Sequence, residues 1–295
     1  MTVDLPSTRT AEFLASSPSG SHRVRYLDRG PHDAPRTVIC VHGLTRNARD
    51  FDPLADALAR EGWRVICPDV VGRGDSDRLA DPAGYNYGQY QQDMMALIAH
   101  LGSDEIDWVG TSMGGLIGMM LAARPATPIR RLVINDIGPF LPRAALQRLV
   151  EYVGLDPFFT DAAAVETYLR RVMAPFGALA DSDWQALARH AVRPEEGGFR
   201  LAYDPAIRAG LLAAKDKDVD LWPIWEAIAC PALLLWGRDS DLLTEDIVRG
   251  MTSRGPRATL VAFDKVGHAP ALRATDQIAA VRDWLVATKG KGGSE

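Results

Sequence analysis

A serine stands between two glycines in Gly110-Thr111-Ser112-Met113-Gly114, a G-x-S-x-G spacing. An apolar run, Ile106 to Val109, precedes it, and a Met/Leu/Ala-rich helical pattern, Met113 to Ala123, follows. The chemistry this allows is nucleophilic attack on a carbonyl. A sharp strand-to-helix turn projects the serine Oγ outward, and glycines on either side leave room where backbones crowd. The same turn puts the serine at a helix N-terminus, where the dipole favours developing negative charge.

A serine nucleophile needs a base, and histidine titrates near neutral pH. His22 and His32 flank an early strand pattern, His100 falls at a helix end and His190 in a helical stretch. His42 closes a strand and reads as a structural turn residue. His268, in Lys265-Val266-Gly267-His268-Ala269-Pro270, follows the last strand pattern. Parallel strands deliver their C-terminal loops to one sheet edge, so Ser112 and His268 are expected to meet there. The acid that orients the base should come from another such loop. Asp241, in Trp236-Gly237-Arg238-Asp239-Ser240-Asp241, is the favoured candidate. Asp239 and Asp136, which ends the pattern Leu132 to Asn135, stay open as alternatives. With Asp241 the chain order is Ser, Asp, His.

Cys40-Val41-His42-Gly43-Leu44-Thr45 closes another strand pattern. Its His-Gly turn can aim a backbone N–H into the site, so the N–H groups of Leu44 and Met113 are the expected oxyanion hole. Arg46 follows closely; it is an expected pocket residue, and is expected either to hold this loop or to face a carboxylate. The glycine-rich stretch from Pro68 to Asp77 lacks the spacing of a phosphate-binding loop and reads as a structural turn beside the site.

The elements that must position these groups are legible as periodicity. Strand patterns occur at Val24 to Leu27, Thr37 to Val41, Arg64 to Cys67, Ile106 to Val109, Arg131 to Ile134, Ala232 to Trp236 and Thr259 to Phe263. From Thr37 they alternate with helical patterns at Phe51 to Arg60, Tyr90 to Leu101 and Met113 to Ala123. This predicts an α/β fold, a mostly parallel doubly wound sheet covered on both faces. The alternation breaks between about Ile137 and Ala227, where helical patterns run without a strong strand. The predicted organisation is a core of residues 1–136 and 228–288, a helical cap insertion over 137–227, and a flexible tail over 289–295. Phe158, Phe159 and Phe176 of the cap are expected pocket walls.

Composition narrows the function classes. Of 295 residues 47% are hydrophobic and 24% charged, with a net charge of −5 and no basic block, which argues against nucleic acid as a partner. No apolar run is long enough to span a bilayer, and the first twenty residues do not read as a secretory signal. Cys40, Cys67 and Cys230 lie in or beside apolar runs and read as buried thiols in a reducing compartment, without Cys/His metal spacing. A cytoplasmic protein without metal or organic cofactor is expected.

Taken together and in this order, the turn at VHG, PDVVGRGDSD, GTSMGG, LLLWGRDSDLL and VGHAP resemble the motifs of the α/β-hydrolase fold family, spanning about Val38 to Trp284. The resemblance implies that fold, a helical cap, and triad roles for Ser112, Asp241 and His268. One departure is notable: many relatives carry the acid three positions after the strand-ending glycine, and here that position is Ser240. A serine in place of an aspartate nucleophile separates the chain from the haloalkane dehalogenase and epoxide hydrolase branches. The expected activity is hydrolysis of a small carboxylic ester or lactone through an acyl-enzyme. Alternatives are cleavage of a carbon–carbon bond in a ring-fission product, which Ala269 after the base disfavours, perhydrolysis as a side activity, and a non-catalytic ligand receptor on the same scaffold.

Overall fold

The computed structural model describes residues 8–288; the tail expected over 289–295 lies outside them. Its N-terminal half runs β1 (Thr8–Ser17), β2 (Gly20–Arg29), β3 (Thr37–Val41), α1 (Asp52–Arg60), β4 (Arg64–Pro68), α2 (Tyr87–Leu101), β5 (Ile106–Thr111), α3 (Met113–Ala122) and β6 (Ile129–Asn135). The insertion follows: β7 (Phe140–Leu141), α4 (Arg143–Tyr152), β8 (Phe158–Phe159), α5 (Ala162–Val172), α6 (Asp181–His190), β9 (Val192–Glu195), β10 (Gly198–Leu201), α7 (Arg208–Ala214), β11 (Val219–Asp220) and α8 (Trp222–Glu226). The chain then returns through β12 (Ala232–Gly237), α9 (Glu245–Ser253), β13 (Thr259–Phe263) and α10 (Thr275–Ala287).

Eight strands form one sheet in the order β1-β2-β4-β3-β5-β6-β12-β13. β2 pairs antiparallel with β1 and β4, and the pairs from β4 through β13 are parallel. Every residue of β3 and β4 is buried, as expected of strands covered on both faces. One face packs α1 and α10 around Phe51, Leu54, Leu58, Val281 and Leu285. The other face carries α2 and α3, and its core continues without a break into Leu146, Val165, Leu169 and Leu187 of the insertion.

Local chemistry sets the helix ends. The Asn86 side chain accepts the Gln89 N–H at the start of α2, and Gly102, at φ 64°, closes that helix in the left-handed region. Two features depart from the periodicity. β1 is a strand although only Phe13 and Ala15 of it are buried, so its alternation is faint in the sequence. The insertion is not purely helical: β8-β10-β9 and β11-β7 form two small sheets from strands of two to four residues, too short to leave a pattern. Neither joins the main sheet. No helix of the described residues is long and apolar enough to cross a membrane.

Candidate active site

The site is built by register. Thr111 of β5 lies opposite Asn135 of β6, and Asn135 lies opposite Leu235 of β12. The next residues along β5 and β6, Ser112 and Asp136, therefore emerge side by side at the C-terminal edge of the sheet. Both have positive φ, 53° for Ser112 and 55° for Asp136. The turn at Ser112 is held from below by its own N–H, which donates to the Asn135 carbonyl (3.0 Å). A Cβ at Gly110 would collide with the Gly114 carbonyl, and one at Gly114 with the carbonyl of Val41, so both positions need glycine. The strained serine conformation persists because its surroundings over-determine it.

His268 reaches this edge on the loop after β13. Its Nε2 lies 2.9 Å from Ser112 Oγ, and its Nδ1 lies 2.9 Å from Asp136 Oδ2. The Asn135 amide steadies the pair by donating to Thr111 Oγ1 (3.0 Å) and to the Pro270 carbonyl (2.8 Å). Asp136 is fully buried, and three donors surround its carboxylate. Oδ1 accepts the Gly237 N–H (2.8 Å), while Oδ2 accepts the Ser240 hydroxyl (2.6 Å) as well as His268.

The carboxylate facing the histidine is therefore that of Asp136, which corrects the preference for Asp241. Asp241 is half exposed and pairs with Arg148 of α4, away from His268. Asp239 is also exposed. The physical reason is that β6 is the immediate neighbour of β5, so the first residue past it lies nearest to Ser112. The legible signal was the departure itself: a serine where relatives carry the acid, and an aspartate one residue past β6. Ser240, noted only as that departure, is the residue sequence reasoning missed; its hydroxyl holds the carboxylate.

Leu44 and Met113 line the same cavity as Ser112 and His268, and neither backbone N–H donates to another backbone carbonyl. The Leu44 turn is pinned by His42. Nε2 of His42 accepts the Val70 N–H (3.0 Å), which leaves the proton on Nδ1 to be donated to the Gly43 carbonyl (2.7 Å). Burial drives the pKa of His42 down to about 4, so it stays neutral and structural. Asp69, opening the glycine-rich loop, accepts the N–H groups of Ala48 (2.7 Å) and Asp75 (2.9 Å), and burial raises its pKa to about 6.

A cavity of about 620 Å³ opens above Ser112, between the sheet edge and the insertion. Its walls are mostly apolar, with Met120, Leu146, Leu149, Met173 and Phe176 among them. Arg46 also lines it and faces a carboxylate, that of Asp50, at 2.8 and 2.5 Å. Phe176 is on the wall as expected, but Phe158 and Phe159 are not. Phe158 is exposed on the outside of the insertion beneath Arg200, and Phe159 is buried against Tyr168. They pair in a short strand whose side chains alternate between solvent and the insertion's own core.

Comparison with known proteins agrees with this architecture. The profile of the alpha/beta hydrolase fold matches residues 36–274. A 3-hydroxybutyrate-oligomer hydrolase of Cupriavidus necator is 41% identical over 92% of this chain and 96% of its own length. A 2-(acetamidomethylene)succinate hydrolase of Mesorhizobium japonicum is 30% identical over 78% of this chain and 81% of its own. Among solved structures, an alpha/beta hydrolase of Novosphingobium aromaticivorans superposes with a TM-score of 0.82 at 33% identity, covering 96% of this chain and 99% of that one. Fold, strand order and these likenesses agree, and the chain belongs to the α/β-hydrolase fold family.

Proposed function

We propose that this chain hydrolyses carboxylic ester bonds through Ser112, His268 and Asp136, and that oligoesters of short 3-hydroxy acids are among its substrates. The observation that carries the reading is the unbroken line of hydrogen-bonding atoms from Ser112 Oγ through both nitrogens of His268 to the buried Asp136, 2.9 Å at each step. Ser112 Oγ attacks the ester carbonyl as its proton passes to His268 Nε2, and Asp136 balances the imidazolium through the Nδ1–H. The oxyanion rests on the N–H groups of Leu44 and Met113. His268 returns the proton to the departing alkoxide, leaving an acyl-Ser112. A water then gives up a proton to His268 Nε2 and attacks the acyl carbon; as the bond to Ser112 Oγ breaks, His268 returns that proton to the serine oxygen, freeing the acid and regenerating the hydroxyl.

The substrate class is supported by the 41% identity to the 3-hydroxybutyrate-oligomer hydrolase and by a mostly apolar cavity whose volume of about 620 Å³ exceeds that of a single short acyl unit. The residues over 137–227 act as the cap that roofs this cavity. The test is hydrolysis of linear 3-hydroxybutyrate dimers and trimers, with p-nitrophenyl esters and a diketone alongside. Wild type is expected to cleave the oligoesters and Ser112→Ala to fall by about 10⁵-fold or more. A wild type no faster than Ser112→Ala on every compound would favour the receptor reading.

A further inference from the structure

Four of the buried arginines face an aspartate: Arg29 faces Asp52 and Asp56, Arg46 faces Asp50, Arg64 faces Asp28 and Arg131 faces Asp107. Arg73 does not. It is fully buried, and among the described residues no carboxylate lies within ion-pair distance of it. Its Nε donates to the Leu44 carbonyl (2.9 Å), and its Nη1 to the Val71 carbonyl (2.7 Å) and to Tyr90 Oη (3.0 Å). Its Nη2 lies 3.6 Å from Met113 Sδ. The rings of Tyr90 and Tyr85 stand 5.0 and 5.8 Å from the guanidinium carbon. A buried cation satisfied only by carbonyls, a phenol and aromatic faces is costly, because nothing of opposite charge offsets its lost hydration.

Of the three residues that Arg73 grips beyond its own loop, Tyr90, Leu44 and Met113, the last two are those whose N–H groups face the reacting carbonyl in the proposed mechanism. We propose that Arg73 is the positioning residue of the oxyanion hole, its charge left without a carboxylate partner because the anion it serves forms only during the reaction. The guanidinium fixes the Leu44 carbonyl and thereby the orientation of that turn, and it braces the Met113 side chain behind the second donor. Its field, in a dry interior, favours negative charge at the oxyanion and acts on the neutral ground-state ester far less. A carboxylate beside it would cancel that field. The loop that carries it is itself held by Asp69, which explains why a turn outside the cavity is so fully hydrogen-bonded. This assignment rests on the proposed roles of Ser112, Leu44 and Met113.

The test compares Arg73→Lys and Arg73→Gln with wild type on p-nitrophenyl butyrate, together with affinity for an alkyl trifluoromethyl ketone, whose serine adduct carries the oxyanion. Arg73→Gln is expected to lose about 10²-fold in kcat and in ketone affinity, with KM within about threefold of wild type. Arg73→Lys, which keeps the charge, should recover part of both losses. Arg73→Gln as active as wild type, or Arg73→Lys no better than Arg73→Gln in both readouts, would overturn the assignment. Should either variant fail to fold, Tyr90→Phe leaves the guanidinium in place with one partner fewer. It is then expected to lose a few-fold in kcat and ketone affinity alike, and wild-type values in both would overturn the proposal. Absence of Ser112-dependent hydrolysis in wild type removes the hydrolase reading itself, a different result from an unchanged Arg73→Gln in an active enzyme.

Discussion

Asp136 has three donors on two oxygens, and one of them is the histidine that faces Ser112. A neutral amide in its place could not balance an imidazolium and could turn an N–H toward Nδ1. Asp136→Asn is therefore expected to lower kcat by about 10³–10⁴-fold, whereas Asp241→Asn, altering a half-exposed pair with Arg148, should stay within about twofold. Steady-state kinetics on one activated ester measures both. The Ser240 hydroxyl already touches Asp136 Oδ2, so a carboxylate at that position reaches the same nitrogen. The double variant Asp136→Asn/Ser240→Asp should recover at least tenfold over Asp136→Asn alone; no recovery would mean that position 240 cannot replace the acid.

Each turn at the sheet edge is made by its element and paired to a neighbouring one. The turn after β3 depends on a neutral His42, whose pKa falls from 6.5 to about 4. Below pH 6.5 the unfolded chain binds a proton that the native histidine refuses, so this residue's contribution to stability declines as pH falls toward 4, by about 3 kcal/mol in all. Asp69 acts in the opposite sense: its pKa rises from 3.8 to about 6, so the native state binds the extra proton and gains stability as pH falls through that window. The two slopes offset each other in wild type between pH 6 and 4. His42→Asn removes only the first. Urea denaturation at pH 7 and pH 4 should therefore show the variant regaining about 3 kcal/mol relative to wild type at the lower pH. A difference between the two proteins that does not change with pH would contradict a neutral, buried His42.

On the scale of the whole molecule, the insertion and the sheet share one core, and the cavity lies at the seam between them. In the proposed mechanism the sheet edge supplies the reacting groups, and side chains of the insertion form part of the wall that would limit substrate length. Leu149 of α4 is half-buried on the cavity wall. Leu149→Trp should shorten the cavity and leave the reacting atoms untouched. In a p-nitrophenyl series, kcat/KM for octanoate is expected to drop at least tenfold more than for acetate. A uniform loss across chain lengths would place the cavity's long axis elsewhere.

Much of this was written in short stretches of chain. Strands β2 to β6, β12 and β13, the turn at Ser112 and the candidate base at His268 are all local patterns: apolar runs, glycine spacing, and a histidine placed past the last strand. Local patterns suffice there because a strand or a sharp turn depends on residues close by in sequence. The carboxylate that faces His268 was not legible in that way. Asp136, Asp239 and Asp241 all follow strands, and choosing among them depends on which strand lies beside β5 and in what register, a matter of contacts across 24 or more residues. The same holds for Arg73, whose importance comes from the aspartate it lacks, and for Phe158 and Phe159, where two-residue strands decide which ring faces solvent. Sequence thus determined the sheet, the turn at Ser112 and the candidate base at His268; tertiary packing decided which carboxylate faces that histidine and which side chains wall the cavity, because both depend on side chains that only the folded chain brings together.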